Sequence, residues 1–209
     1  MRDLEDYQDQ YLNNYPFEPF LVEKRKNLIL SIIDKYNPKS ILEIGCGDDP
    51  LFNYLHDFEK FTVVEPGELF FKYATDFAKK HNHPESISLI NTCFEGKTEE
   101  VHDYDLIICS ALLHELEDQE TFMQNLYYLA DDSTIVHINM PNVNSFHRLL
   151  AKKVGIIKSV HDKSEMQNRL QQNDFFNIAQ LKKMCESFGF KIIEEGTLAF
   201  KPFTNFQIQ

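Results

Sequence analysis

Ile41-Leu42-Glu43-Ile44-Gly45-Cys46-Gly47-Asp48-Asp49-Pro50 is the stretch that decides how this chain folds. Ile41, Leu42 and Ile44 predict a short buried strand, and Gly45-Cys46-Gly47 predicts a tight turn. Two glycines let the backbone take positive φ and approach a ligand closely. Asp49 suits an N-cap and Pro50 a first helical position, so a helix is expected from Leu51 to Phe58. Strand, glycine turn and helix form a nucleotide-binding βα unit.

Charge narrows the kind of nucleotide. A pyrophosphate rests on helix N-terminal amides and is repelled by carboxylates. This turn carries three, Glu43, Asp48 and Asp49, which suit a cationic ligand. The third glycine of a dinucleotide fingerprint is missing, because Pro50 stands in its place. These features favour a sulfonium cofactor over NAD.

Glu43-Ile-Gly45-Cys-Gly47-Asp-Asp49 resembles motif I of class I S-adenosylmethionine-dependent methyltransferases, Glu/Asp-x-Gly-x-Gly-x-Gly, with Asp49 at the last glycine. The resemblance extends over roughly residues 20–203. It implies an α/β fold: a Rossmann-like, seven-stranded, mostly parallel sheet with helices on both faces and an antiparallel last strand. It also implies S-adenosyl-L-methionine as cofactor and S-adenosyl-L-homocysteine as product. Under it, Gly45, Cys46 and Gly47 offer main-chain amides to the methionine carboxylate, while Glu43 or nearby carbonyls face its ammonium. Ser110 and Pro66 also join the cofactor-contacting set.

Length and composition agree with one soluble domain. The 209 residues are 43% hydrophobic and 26% charged, with a formal charge of −12. That charge argues against nucleic acid or an anionic membrane as main partner. A small-molecule substrate, itself anionic under one reading, is expected, with the oligomeric state open between monomer and homodimer. Cys46, Cys93, Cys109 and Cys185 form no Cys-x-x-Cys pair, which predicts reduced thiols in the cytoplasm. The start is acidic and polar, unlike a signal peptide, and no apolar run reaches the length of a membrane span. No cluster of carboxylates suggests a metal.

Residues 1–36 are expected to form an N-terminal lid and helix. Aromatics near the start suit either a core cap or a lid over the cofactor; Tyr15, Glu18 and Arg25 fit the loose pattern of such a lid in the methyltransferases this chain resembles. Apolar residues recur at helical spacing from Val22 to Tyr36, and Asn37-Pro38 ends that helix.

Phe61-Thr-Val-Val-Glu65-Pro66 predicts a second strand closed by an acid. Glu65 lies 18 residues beyond Gly47, near the spacing at which α/β nucleotide sites place a carboxylate on ribose hydroxyls. A helix over 69–80 and a third strand at Ile87–Ile90 follow. In the next loop the resemblance implies adenine contacts, with Phe94 packing on the ring and its amide or the Glu95 side chain meeting the base edge.

Tyr104–Ser110 predicts a central strand buried on both faces. The segment Ala111-Leu-Leu-His114-Glu115 follows it at the carboxyl edge of the sheet, where open α/β folds bind ligands. His114 is thus a candidate catalytic residue, as is His147; His137 shares their titration range. A helix over 121–130 leads to a fifth strand, Thr134–Met140.

Residues 141–176 are expected to form a helical cap insertion. They gather Lys152, Lys153, Lys158 and Lys163 in an otherwise acidic chain. Asn142 and Arg148 are candidate substrate-binding residues, Arg148 for an anionic group. A helix over 177–188 stops at Gly189. Phe190–Gly196 and Thr197–Phe203 predict two last strands, with Lys201 and Phe203 reaching the substrate side.

Met140-Pro-Asn-Val-Asn-Ser-Phe-His-Arg148 and Leu198-Ala-Phe-Lys-Pro-Phe-Thr-Asn205 resemble bacterial methyltransferases of surface-saccharide pathways. That implies O-methylation of a phosphorylated or nucleotide-linked sugar precursor. The alternatives are a dinucleotide-binding oxidoreductase and a non-catalytic protein that kept the fold.

Overall fold

The computed structural model describes residues 3–13, 18–94 and 103–199 of the chain. Two helices, α1 (Leu4–Asn13) and α2 (Glu18–Tyr36), precede the first strand β1 (Ser40–Ile44). β2 (Lys60–Val64), α3 (Glu68–Ala78) and β3 (Ile87–Ile90) complete one half. The other half contains β4 (Leu106–Ser110), α4 (Gln119–Leu129) and β5 (Ile135–Asn139). A segment after β5, called the cap below, holds α5 (Phe146–Lys153) and α6 (Glu165–Arg169), and α7 (Ile178–Ser187) follows.

All five strands are parallel, in the order β3-β2-β1-β4-β5. The chain builds outward from β1 to β3, then returns to lay β4 on the other side of β1. Ligands bind at such a reversal, outside the carboxyl ends of the two strands.

Side-chain alternation gives each face of the sheet its own core. Ile41, Phe61, Val63, Leu106 and Ile108 join Ile29 and Ile33 of α2 and Ala74 of α3. Leu42, Ile44, Val64, Ile107 and Cys109 join Phe122, Met123 and Leu126 of α4 and Cys185 of α7. β1 and β4 are buried along almost their whole length, as central parallel strands must be. Asp118 caps α4 by accepting the Thr121 N–H, and Asn177 with Gln180 forms a capping box on α7.

Three sequence expectations need correction. The helix after the glycine turn is one 3-10 turn, Leu51–Tyr54, with extended Pro50 before it. Asp49 does not cap it: its carboxylate takes the Lys26 ammonium at 3.1 Å and the Tyr54 hydroxyl at 2.5 Å. The Leu51 N–H goes instead to Glu43 Oε2 at 3.0 Å.

The sheet shows five strands among the described residues, not seven, and none of the five is antiparallel. Phe190 and Ile192 do turn toward the core while Ile193 is exposed, so the alternation of a strand survives. Residues 191–199 nevertheless join no ladder, and 200–203 of the expected last strand lie outside the described residues. The acids of 191–199 face helices instead: Glu194 pairs with Lys35 and Tyr36, and Glu195 with Lys182. Phe203 and Lys201 lie outside the described residues, as do Tyr15 and Glu95.

Candidate functional site

The carboxyl ends of β1, β2 and β4 converge on one crevice. After β1 the backbone turns through Gly45 at φ +75° and Gly47 at φ +59°, a region that costs a residue with a Cβ about 1–2 kcal/mol. After β4 a non-glycine does the same: Ala111 sits at φ +54°. The two turns lie side by side, since a Cβ on Gly45 would stand 3.8 Å from the Leu112 side chain. Strained backbone of this kind collects where a chain is held for a ligand.

Glu65 closes β2 and is buried at 5% exposure. Its Oε2 accepts the Cys46 N–H at 3.1 Å and its Oε1 the Gly67 N–H at 2.8 Å. The carboxylate thereby ties the second strand to the glycine turn.

Glu43 is equally buried, and burial pushes its carboxyl up to about 8, assisted by the neighbouring Glu65 and Asp49 carboxylates and opposed by the Leu51 N–H. The Cys46 thiol is driven well upward, first by burial and then by Glu65 and Glu43. It is therefore a neutral, inert thiol. Asp48 is also raised, chiefly by burial. Lys26 bridges to Asp49 and lies over the Tyr54 ring. Raised to about 8, Glu43 is therefore mostly protonated at pH 7, and a cationic ligand beside it would favour its charged form. A sulfonium nucleoside bearing an ammonium fits two buried acids, Glu43 and Glu65, set beside a glycine turn.

At the β4 end, Asn139 of β5 organises the turn. Its Oδ1 accepts the Ala111 N–H at 3.1 Å, and its Nδ2 donates to the Ser110 hydroxyl at 3.0 Å and to His137 Nε2 at 2.9 Å. Burial lowers the His137 imidazole to about 4, so that ring is neutral at pH 7 and engaged inside the sheet. His114 and Glu115 follow in a 3-10 turn, Leu113–Glu115, both buried, with Nε2 and Oε1 3.8 Å apart.

The cap clamps this turn. The N–H groups of Asn173 and Asp174 donate to the His114 carbonyl, and Asn173 Nδ2 to the Glu115 carbonyl. Arg148 holds the cap itself: its Nε and Nη2 donate to the Val160 and Asp162 carbonyls, and its Nη1 to Gln167 Oε1. The structure therefore gives Arg148 a cap-bracing place rather than the anion-binding one expected. Asn142 accepts the Asn144 N–H and bridges to Phe176, and His147 lies half-buried in the first turn of α5.

Phe94 is a second correction. It is 4% exposed and packs edge-on against Phe122, with ring centroids 5.1 Å apart, as part of the core. Its ring has no free face for an adenine. Pro66 and Ser110 stand half-buried at the crevice ends of β2 and β4, and Arg25 is half-buried on α2.

The site also contains residues that sequence reasoning passed over. α1 lies across α3, with Tyr11 edge-on to Phe70 at 5.6 Å and its hydroxyl 4.0 Å from where a Cβ on Gly47 would stand. Gln8, one turn earlier, reaches the Glu65–Gly67 corner. Asn139 was legible as a polar residue ending a strand at the ligand edge. Gln8 carried no such signal, being one polar residue among many in LEDYQDQYLN.

Among the described residues no group of three or more His, Cys, Asp and Glu is placed to share a metal ion. Nor is any helix there long and apolar enough to cross a membrane. None of the four cysteines is in a disulfide; Cys93 is exposed and the other three are buried.

Comparison with known proteins agrees with this geometry. A family model described as a methyltransferase domain matches residues 21–195. Small RNA 2'-O-methyltransferases of Rattus norvegicus and Xenopus tropicalis are 24% and 26% identical over 119 and 152 residues, 50% and 66% of this chain. The matches span only 29% and 41% of those relatives' own length. Among solved structures, the methyltransferase domain of bacterial CtHen1 superposes with a TM-score of 0.60 at 15% identity, covering 80% of this chain and 83% of that one. The plantazolicin methyltransferase BamL, solved with a desmethyl analogue and SAH, gives 0.62 at 17% identity, covering 83% and 64%.

Proposed function

The chain belongs to the methyltransferase domain family, and on that premise we propose that it methylates a hydroxyl of a small phosphorylated or nucleotide-linked sugar. The enzyme is an S-adenosylmethionine-dependent methyltransferase, and the cofactor supplies an electrophilic methyl on a sulfonium that is already a good leaving group. What remains for the protein is alignment of the acceptor oxygen and exclusion of water.

The observation that carries the cofactor placement is the Glu65 carboxylate, buried at the end of β2 and bonded to the glycine turn. Glu65 holds the ribose by charge-assisted hydrogen bonds. Gly47 takes the methionine carboxylate, the Gly45 and Cys46 N–H groups being bonded to the Val64 carbonyl and to Glu65. Glu43 lies opposite the ammonium, which favours its charged form. Pro66 and Ser110 line the two sides of the crevice.

A hydroxyl acceptor must lose a proton as it attacks. His114 is the base in this reading, with Glu115 Oε1 3.8 Å from its Nε2, and His147 approaches from the cap. His137 is excluded by its depressed basicity and its bond with Asn139. Lys152, Lys153 and Lys158, exposed on the cap, draw an anionic acceptor to this end of an acidic molecule.

A second reading, methylation of a ribose 2′-hydroxyl in a short RNA, is favoured by the curated relatives, which are small RNA 2'-O-methyltransferases. The two readings share hydroxyl chemistry and differ in acceptor size. Supplying methyl-labelled cofactor with sugar phosphates, nucleotide sugars and short single-stranded RNA separates them. Label in a sugar product, lost in His114→Asn, is the expected result. Label in RNA alone would replace the first reading with the second.

A further inference from the structure

Gln8 is an unusual residue for the position it holds. It is 5% exposed, and its amide Nε2 is buried with no hydrogen-bond partner among the described residues. Buried N–H groups are rarely left unpaired, because their lost hydration is not returned. This one is aimed at the corner where Glu65 and Gly67 meet: a Cβ on Gly67 would stand 2.1 Å from Gln8 Nε2 and 2.9 Å from Glu65 Oε1.

Gly67 is explained by the crowding of Gln8 and Glu65 at this corner. Its φ of −74° is open to any residue, so backbone conformation does not call for glycine. The close approach of Gln8 and Glu65 does. Residues 59 positions apart in sequence are fitted to one another at the edge of the crevice.

The helix carrying Gln8 is fastened at both ends of its span. Gln171 of the cap accepts the Asp3 N–H and donates to the Asp3 carbonyl, both at 2.9 Å. Tyr11 stacks edge-on against Phe70 of α3. Between these anchors α1 presents the Gln8 amide to Glu65.

We propose that Gln8 is a cofactor-binding residue, the second hydrogen-bonding group for the ribose hydroxyls that Glu65 accepts. A carboxylate only accepts, whereas a hydroxyl has lone pairs as well as a proton. An amide N–H beside the carboxylate satisfies those lone pairs, and the hydroxyl in turn satisfies the buried amide. The inference rests on the methyltransferase reading and adds to it a ligand from outside the nucleotide-binding unit.

The test is calorimetric titration of the full chain with S-adenosylhomocysteine and with its 2′-deoxy and 3′-deoxy counterparts, comparing wild type, Gln8→Ala, Gly67→Ala and Glu65→Gln. Gln8→Ala is expected to weaken S-adenosylhomocysteine binding about 5-fold, the worth of one hydrogen bond. It should also lose discrimination against one deoxy ligand, which a purely structural role would not touch. Gly67→Ala, which displaces the amide without removing it, should weaken binding in the same direction. In hydrogen exchange, the ligand should protect the amides of residues 4–13 in wild type and less so in Gln8→Ala. Unchanged affinity and unchanged deoxy discrimination in Gln8→Ala, with Glu65→Gln weakened, would overturn this inference and leave the cofactor reading standing. Failure of wild type itself to bind would overturn both.

Discussion

The Cys46 N–H points at Oε2 of Glu65 from 3.1 Å, so the residue between the two turn glycines is held by the acid that ends the neighbouring strand. One carboxylate therefore shapes the turn and lines the crevice. Its second oxygen accepts the Gly67 N–H at 2.8 Å. Removing the side chain leaves two buried donors without an acceptor. Glu65→Ala should lower unfolding free energy by about 2–4 kcal/mol in chemical denaturation, whereas Glu65→Gln, which keeps an acceptor oxygen, should cost less than half as much. Equal losses in the two variants would show that the turn does not depend on this bond.

Glu43 makes stability depend on pH. Its carboxyl is raised from 4.5 to about 8 in the fold, chiefly by burial. The folded state therefore holds a proton that the unfolded state has released, and stability present below pH 4.5 is lost as pH rises through 8. The slope is up to about 1.4 kcal/mol per pH unit across that window. Glu43→Gln should flatten this dependence in denaturation curves recorded from pH 5 to 9. Binding a cation beside Glu43 should also release its proton, so the heat of S-adenosylmethionine binding at pH 7 should vary with the ionisation enthalpy of the buffer.

Phe94 separates a core role from a binding role. Its ring is packed on Phe122 and is 4% exposed. Phe94→Leu should reduce stability by about 1–2 kcal/mol with S-adenosylhomocysteine affinity unchanged. A loss of affinity with stability unchanged would return Phe94 to the adenine site.

The legibility of the sequence follows the range of the interactions involved. All five strands were readable, because β1, β2 and β4 carry apolar residues on both faces and the run itself announces burial. Glu65 was readable as the acid that closes β2, since it directly follows that strand's apolar run. The misreadings concern groups with a distant partner. Asp49 looked like a helix cap, but Lys26 from α2 claims its carboxylate and Glu43 takes the Leu51 N–H. Arg148 looked like an anion receptor, but three acceptors 12 to 19 residues away brace the cap through it. Phe190 and Ile192 show strand alternation that buries them without a ladder. Gln8 acquires meaning only when α1 is laid over Gly67.

The central claim is that the acidic glycine turn and Glu65 hold a sulfonium nucleoside. Titration of the purified chain with S-adenosylmethionine, S-adenosylhomocysteine and NAD, beside Glu65→Gln, tests it most directly. The account predicts binding of the first two at about micromolar Kd and none of NAD, with a loss in Glu65→Gln of about 10-fold, or 1.4 kcal/mol. Binding of NAD with no heat from either sulfur ligand would contradict it.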